Sequence, residues 1–290
     1  MYTLPDDASG RSRELLALAQ ELAARCPASL ATEIAVSGSV ARGVADQYSD
    51  LEVNLWAERV PDLAERSVWL HEIADSNLEL DVLSLPPEMV NSICRYQGVW
   101  IELAWQPITP VERLFRDLLV GADVQSGSLQ LAEAVTHALP LRTEGKLAAW
   151  QGLLAHYPDV VQRQVIESRT ADWNHPLYAQ ARWAAAQRRQ QLAFTEQVVS
   201  LLNSTLSILF AISHEWEPTF KWLPQLSSRL SVAPQQMLQR VECILTANQP
   251  TARLAALFRL MLDTLDLVPA EIDVSKAQAV LSASLREHGY

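Results

Sequence analysis

At 290 residues the chain is long enough for one large domain or two ordinary ones, and an apolar fraction of 49% is that of a folded globular protein rather than a disordered one. A formal net charge of -11 and a pI near 5.0 argue against nucleic acid as a partner, because that role needs clustered Lys and Arg. No apolar run approaches a bilayer span, MYTLPDDASGRSRELL lacks a basic-then-apolar leader pattern, and Cys26, Cys94 and Cys243 form no CxxC pair, so the expectation is a cytoplasmic protein without membrane contact, disulfides or zinc.

In chain order, Ser12 to Cys26 reads as an amphipathic helix with leucines at helical spacing. Glu33 to Ser37 reads as a short strand, and Leu51 to Trp56 as a second, alternating one. Between them SVARGVAD has room for one or two helical turns. Pro61 to Ala74 reads as helix, with Pro at its first position. Leu78 to Leu85 reads as strand ended by Pro86-Pro87. Glu88 to Tyr96 is taken as a short helix, Gly98 to Trp105 as strand and Thr109 to Val120 as helix. From about Leu129 onward nearly everything reads as helix, and Pro176 to about His214 has no internal Pro or Gly to interrupt it. The turn-forming stretch GADVQSGS, residues 121 to 128, marks the expected boundary between a domain 1–125 and a helical domain 126–290. The fold class is therefore α/β plus all-α: a small mixed sheet with helices, followed by a helical bundle.

The chemistry gathers in VSGSVARGVADQYSDLEVNLW, Val36 to Trp56. Strand, then Gly38-Ser39, then a short helix offers backbone N–H groups and a hydroxyl to an anion, with glycine permitting close approach. Arg42 lies about one turn further on. Taken alone, a Gly-Ser turn is common and ordinarily just a turn. Asp50 and Glu52 are two apart on a strand, so they share a face while Leu51, Val53 and Leu55 point to a core. Two adjacent carboxylates repel each other unless a cation lies between them, and hard oxygen donors few in number suit a divalent ion that keeps waters and phosphate oxygens. In combination, the turn and the acids can bring a nucleoside triphosphate and its magnesium together.

GSVARGVADQYSDLE resembles the nucleotidyltransferase signature of the DNA polymerase β superfamily: Gly-Ser, a spacer of about ten residues, then acid, apolar residue, acid. It is most similar to bacterial aminoglycoside and lincosamide nucleotidyltransferases, which also join an α/β catalytic domain to a helical one. The motif covers some twenty residues; the remaining similarity is architectural. The resemblance implies transfer of a nucleoside monophosphate from ATP or another NTP to a hydroxyl of a small molecule, with two Mg2+ ions and an aminoglycoside-like antibiotic as one candidate acceptor. It implies Gly38, Ser39 and Arg42 at the triphosphate and Asp50 and Glu52 at the metals. It also implies a third carboxylate on a later strand, as metal ligand or general base. Glu102, alone within GVWIELAW, is preferred, and Asp81, with Glu79 on its face, is the alternative. In the helical half, Lys221 within HEWEPTFKWLPQL is a candidate phosphate ligand, beside a plain reading as a surface lysine in a packed loop. The competing reading is a nucleotide-binding regulatory or toxin–antitoxin-type protein that modifies a macromolecule or has lost transfer. The oligomeric state is not set by the sequence.

Overall fold

The first helix, α1 (Gly10–Arg25), starts one turn ahead of its leucine pattern because Ser9 caps it, its side chain accepting from the Ser12 backbone N–H. The computed structural model describes residues 3–85 and 88–290, the side chains of 77 and 81–85 excepted. Strand β1 (Glu33–Val36) leads into the one-turn α2 (Gly38–Ala41), and β2 (Leu51–Ala57) follows. Helix α3 (Leu63–Ile73) opens on a capping box: Asp62 accepts from the Glu65 N–H, and the Glu65 carboxylate accepts from the Asp62 N–H. Pro61 therefore precedes the cap instead of occupying the first helical position.

Strands β3 (Ser76–Leu85), β4 (Met89–Tyr96) and β5 (Val99–Pro107) form an antiparallel meander, so the helix expected over Glu88 to Tyr96 is a strand. The reason is local. Gln97 and Gly98 take φ of 48° and 76°, the paired left-handed conformation of a two-residue hairpin turn, and this forces the preceding segment to fold back along β5. Helices α4 (Ile108–Leu119) and α5 (Ser126–His137) follow, then β6 (Leu139–Arg142) and α6 (Lys146–Leu154). The sheet order is β3-β4-β5-β2-β1-β6, antiparallel throughout except for the parallel pair β2 and β5.

The chain divides into two units, Met1–Leu118 with Gly127–His156, and Leu119–Ser126 with Tyr157–Tyr290. The expected boundary at 125 is thus corrected to His156/Tyr157, with 119–126 a short excursion into the second unit. What moves the boundary is β6, a four-residue strand within a stretch read as all helix, which pairs antiparallel with β1. Glu33, fully buried on β1, fastens the next helix: its carboxylate accepts from the Thr143 hydroxyl (2.6 Å) and from the N–H groups of Glu144 (2.6 Å), Lys146 (3.0 Å) and Leu147 (3.1 Å). Those N–H groups belong to the first turn of α6 and its approach, donors that no helical carbonyl satisfies.

The two faces of the sheet differ. Leu51, Val53, Leu55, Ile101, Leu103 and Trp105 point into one apolar core with Leu15, Leu22, Trp69 and Leu70 of α1 and α3. The opposite face carries Glu52, Asn54, Trp56, Glu102 and Gln106. Its far end is closed by aromatics: Trp150 of α6 meets Trp56 edge-on at 5.5 Å, and Phe115 of α4 at 6.0 Å.

The second unit is helical: α7 (Asp159–Thr170), α8 (Pro176–Gln187), α9 (Gln191–Ile212), α10 (Leu223–Leu226), α11 (Met237–Thr246), α12 (Pro250–Leu265) and α13 (Ser275–Glu287). The single tract expected from Pro176 to His214 is broken at Arg188–Gln190, where Arg189 turns left-handed with φ of 54°. No proline or glycine marks this break. Helix α9 is long and apolar enough, by length and composition, to cross a membrane; more than half of that stretch is buried, and it packs against α7, α8 and α12. Trp183 of α8 locks the C-terminus, stacking on His288 at 4.1 Å and donating its indole N–H to Ser284 Oγ at 2.7 Å.

Candidate active site

The Gly-Ser turn and the acids of β2 meet in the first unit. The ladder between β1 and β2 runs from Glu33↔Trp56 to Val36↔Val53, and the Ser37 N–H extends it by donating to the Glu52 carbonyl at 3.1 Å. That register brings Gly38 directly beside the Glu52 side chain. Gly38 has φ of +64°, and a Cβ added to it would stand 2.5 Å from Glu52 Cδ and 2.7 Å from Oε1. Any residue other than glycine would be strained in its backbone and would displace the carboxylate. Ser39, next in the turn, is buried.

Glu102 joins from the neighbouring strand. In the parallel pairing of β2 with β5, Glu52 is the register partner of Glu102, so the two carboxylates stand side by side on one face, on strands about 4.8 Å apart. Both are half-buried, at the end of the face away from the Trp56–Trp150 closure. Asp50 lies just before β2, two residues from Glu52, half-buried, and its carboxylate makes no hydrogen bond or ion pair among the described residues.

Asparagines, which the sequence reading passed over, surround these acids. Asn91 of β4 is buried and donates its side-chain N–H to Glu102 Oε1. Its own Oδ1 is buried and accepts nothing. Beneath Glu52, Asn54 donates to Ser37 Oγ at 2.8 Å and accepts from Gln106 Nε2 at 3.2 Å, and Gln106 in turn accepts from the Trp56 indole at 3.3 Å. This buried polar chain ties β1, β2 and β5 together under the turn. A fully satisfied network of this kind resists shear between strands, because each slip would strand a buried polar atom. The signal was present in the sequence as Asn54 and Gln106 at every second position of otherwise apolar strands.

The loop from the turn to the acids is also fixed. Ser12 Oγ accepts from the Ala45 N–H at 3.0 Å, Ser9 Oγ donates to the Ala45 carbonyl at 2.6 Å, and the Ser9 N–H donates to the Gly43 carbonyl at 2.8 Å. Asp46 Oδ1 then accepts from the Tyr48 N–H at 2.9 Å and from the Ser49 hydroxyl at 3.0 Å, closing a turn that delivers Asp50.

Of the other expected participants, Arg42 is engaged away from the turn. Arg42 does not face the turn: its guanidinium forms a two-pronged, buried ion pair with Glu133 of α5, Nε to Oε1 at 3.1 Å and Nη2 to Oε2. Glu133, with 1% of its side chain exposed, would be an uncompensated buried charge without that partner, and nothing local in the sequence links residues 91 apart. Lys221 belongs to the second unit, exposed in a 3-10 turn, Phe220–Trp222. Asp81 falls within β3, and its side chain lies outside the described residues.

Among the described residues, no three His, Cys, Asp or Glu side chains stand close enough together to hold a metal ion unaided. The acids present suit magnesium, which takes one or two carboxylates and completes its octahedron with water and phosphate oxygens. Burial pushes the Cys26 and Cys94 thiols up to about 11.

A family described as a domain of unknown function (DUF4037) matches residues 127–223, about a third of the chain, beginning in the first unit and ending in the second. No curated protein matches the sequence. Among solved structures, a nucleotidyltransferase-like protein from Exiguobacterium sibiricum 255-15 is similar at 11% identity and a TM-score of 0.39, over 97% of this chain and 81% of that one. Similarity at that level leaves the function to be argued from the residues.

Proposed function

We propose that the chain is a magnesium-dependent nucleotidyltransferase that moves a nucleoside monophosphate, with ATP the first candidate donor, to a hydroxyl of a small molecule. The observation that carries this reading is the placement of Gly38 against the Glu52 carboxylate, with Glu102 in register beside it. A left-handed glycine pressed on an acid sets backbone donors beside oxygen donors, which is what a metal-bound triphosphate requires.

The roles follow from position. The Gly38-Ser39 turn, with first-turn N–H groups of α2 that no helical carbonyl takes, would hold the outer phosphates. Asp50 and Glu52 would hold magnesium, whose positive charge would offset that of the phosphates. Glu102, its carboxylate oriented by Asn91, accepts the proton of the acceptor hydroxyl. The acceptor oxygen bonds to the α-phosphorus as the bond to pyrophosphate breaks, and pyrophosphate leaves. An aminoglycoside-like acceptor is the first class to screen.

The test is calorimetric titration of ATP, GTP, CTP and UTP, with and without magnesium, on the native protein and on Asp50→Asn. The native protein binds one nucleotide only with magnesium, and Asp50→Asn, whose carboxylate makes no internal bond, loses that binding while melting at the native temperature. Binding indifferent to both magnesium and Asp50 would sink the proposal.

A further inference from the structure

The helical unit carries polar chemistry that the proposed reaction does not use. One face of α9 is exposed at Leu192, Thr195, Glu196, Val199, Ser200 and Asn203, a stripe at helical spacing along an otherwise core-forming helix. Two adjoining hollows flank it, one of about 640 Å3 and one of about 400 Å3, and Glu196 and Ser200 line both.

Each hollow contains a guanidinium. In the larger, Arg169 is fixed from behind: Nε donates to Ser207 Oγ at 3.1 Å, and Nη2 donates to the Val124 carbonyl at 3.2 Å and to Ser126 Oγ at 3.1 Å. The buried Glu217 carboxylate lies 3.6 Å from Nη2. Nη1 has no protein partner among the described residues, and Arg169 lines the hollow together with Asn203 and Ser204.

Arg182 in the smaller hollow is stranger. Its guanidinium makes no hydrogen bond among the described residues, and its Nη1 is sealed from solvent. Burial lowers its pKa, with the charges of Asp172 and Tyr178 acting the other way. Across the same hollow the Oε1 of Gln197 is also buried and accepts nothing. A guanidinium without a hydrogen bond is expensive for a fold to keep, and the Arg182 nitrogens other than Nη1 are not sealed, so an anion in the hollow can meet them.

We propose that this face of α9 is a second small-molecule site, which takes a hydroxylated phosphate monoester of sugar-phosphate size. The phosphate lies in the smaller hollow against Arg182, and the sugar reaches across Ser200 into the larger hollow that Arg169 lines. The hydroxyls meet Ser200, Asn203 and Ser204.

The experiment titrates glucose 6-phosphate, glucose and inorganic phosphate into the full chain without nucleotide or magnesium, so its result is separate from that of the Asp50 site. Saturable binding of glucose 6-phosphate, with glucose at least about tenfold weaker, is expected, since charge-assisted bonds carry the affinity. Arg182→Met then weakens glucose 6-phosphate at least about tenfold while the melting temperature holds or rises, because the substitution removes an unsatisfied buried charge. Ser200→Phe, on the exposed ridge between the hollows, blocks binding without touching the core. The proposal is overturned if glucose 6-phosphate does not bind, if glucose binds equally, or if Arg182→Met and Ser200→Phe both retain native affinity.

Discussion

The site turns on Gly38, where two separate costs fall on any replacement. The left-handed backbone alone costs a residue with a Cβ about 1–2 kcal/mol, and the new methyl would occupy the space of the Glu52 carboxylate. Gly38→Ala is therefore expected to lower stability by that amount and also to abolish magnesium-dependent nucleotide binding. Gly43→Ala provides the contrast. Gly43 also has a positive φ, 78°, but its Cβ would meet Ala8 at 3.0 Å, away from the acids. It should lose comparable stability in urea denaturation and keep nucleotide affinity in the same titration. If both variants bind nucleotide equally well, the contact between Gly38 and Glu52 is architectural. Asp50 and Glu52 were legible in the sequence because alternation with Leu51, Val53 and Leu55 exposes a strand face. Asn91 was not, because its segment was read as helix; once the Gln97-Gly98 turn is recognised, Asn91 falls on the face of Glu102.

Among the elements, the junction between α2 and α5 decides what Arg42 does. Its pair with Glu133 is buried on both sides, 6% and 1% exposed, with His137 Nε2 a further 3.9 Å from the acid. Removing one member leaves the other buried without its partner, a loss of about 3–5 kcal/mol, whereas replacing both with apolar side chains of similar volume is close to neutral. Arg42→Ala should accordingly be strongly destabilised, and Arg42→Met with Glu133→Leu should recover most of the loss. The same double variant separates two roles. If Arg42 serves only to anchor α2, nucleotide affinity in the double variant stays native; if it also grips phosphate, affinity falls although stability is restored. Denaturation curves and the nucleotide titration read the two effects independently. Long-range pairs such as this one, and the break of the helical tract at Arg189, left no trace in periodicity or in turn chemistry, since neither needs a glycine, a proline or a local motif.

At the scale of the whole molecule, the boundary between the units tests how the first one is completed. A fragment ending at residue 125 follows the composition shift at GADVQSGS but omits α5, β6 and α6. It would leave one edge of β1 unpaired, Arg42 without Glu133, Glu33 without its four donors, and Trp56 without Trp150. Glu33 would then be a buried carboxylate with nothing to bond, and an open strand edge invites association with other chains. A fragment ending at His156 retains all of these partners; residues 119–126 would simply form a loop. The expected outcome is that fragment 1–156 melts cooperatively and gives dispersed amide resonances, while fragment 1–125 aggregates or lacks a melting transition. If instead the shorter fragment folds as well as the longer, β6 and α6 are appendages and the compositional boundary is the real one. The sequence concealed this because β6 is only four residues long and contains Pro140, so it looks like punctuation between helices. Its identity as a strand comes from β1, more than a hundred residues earlier, whose free edge and buried acid it covers.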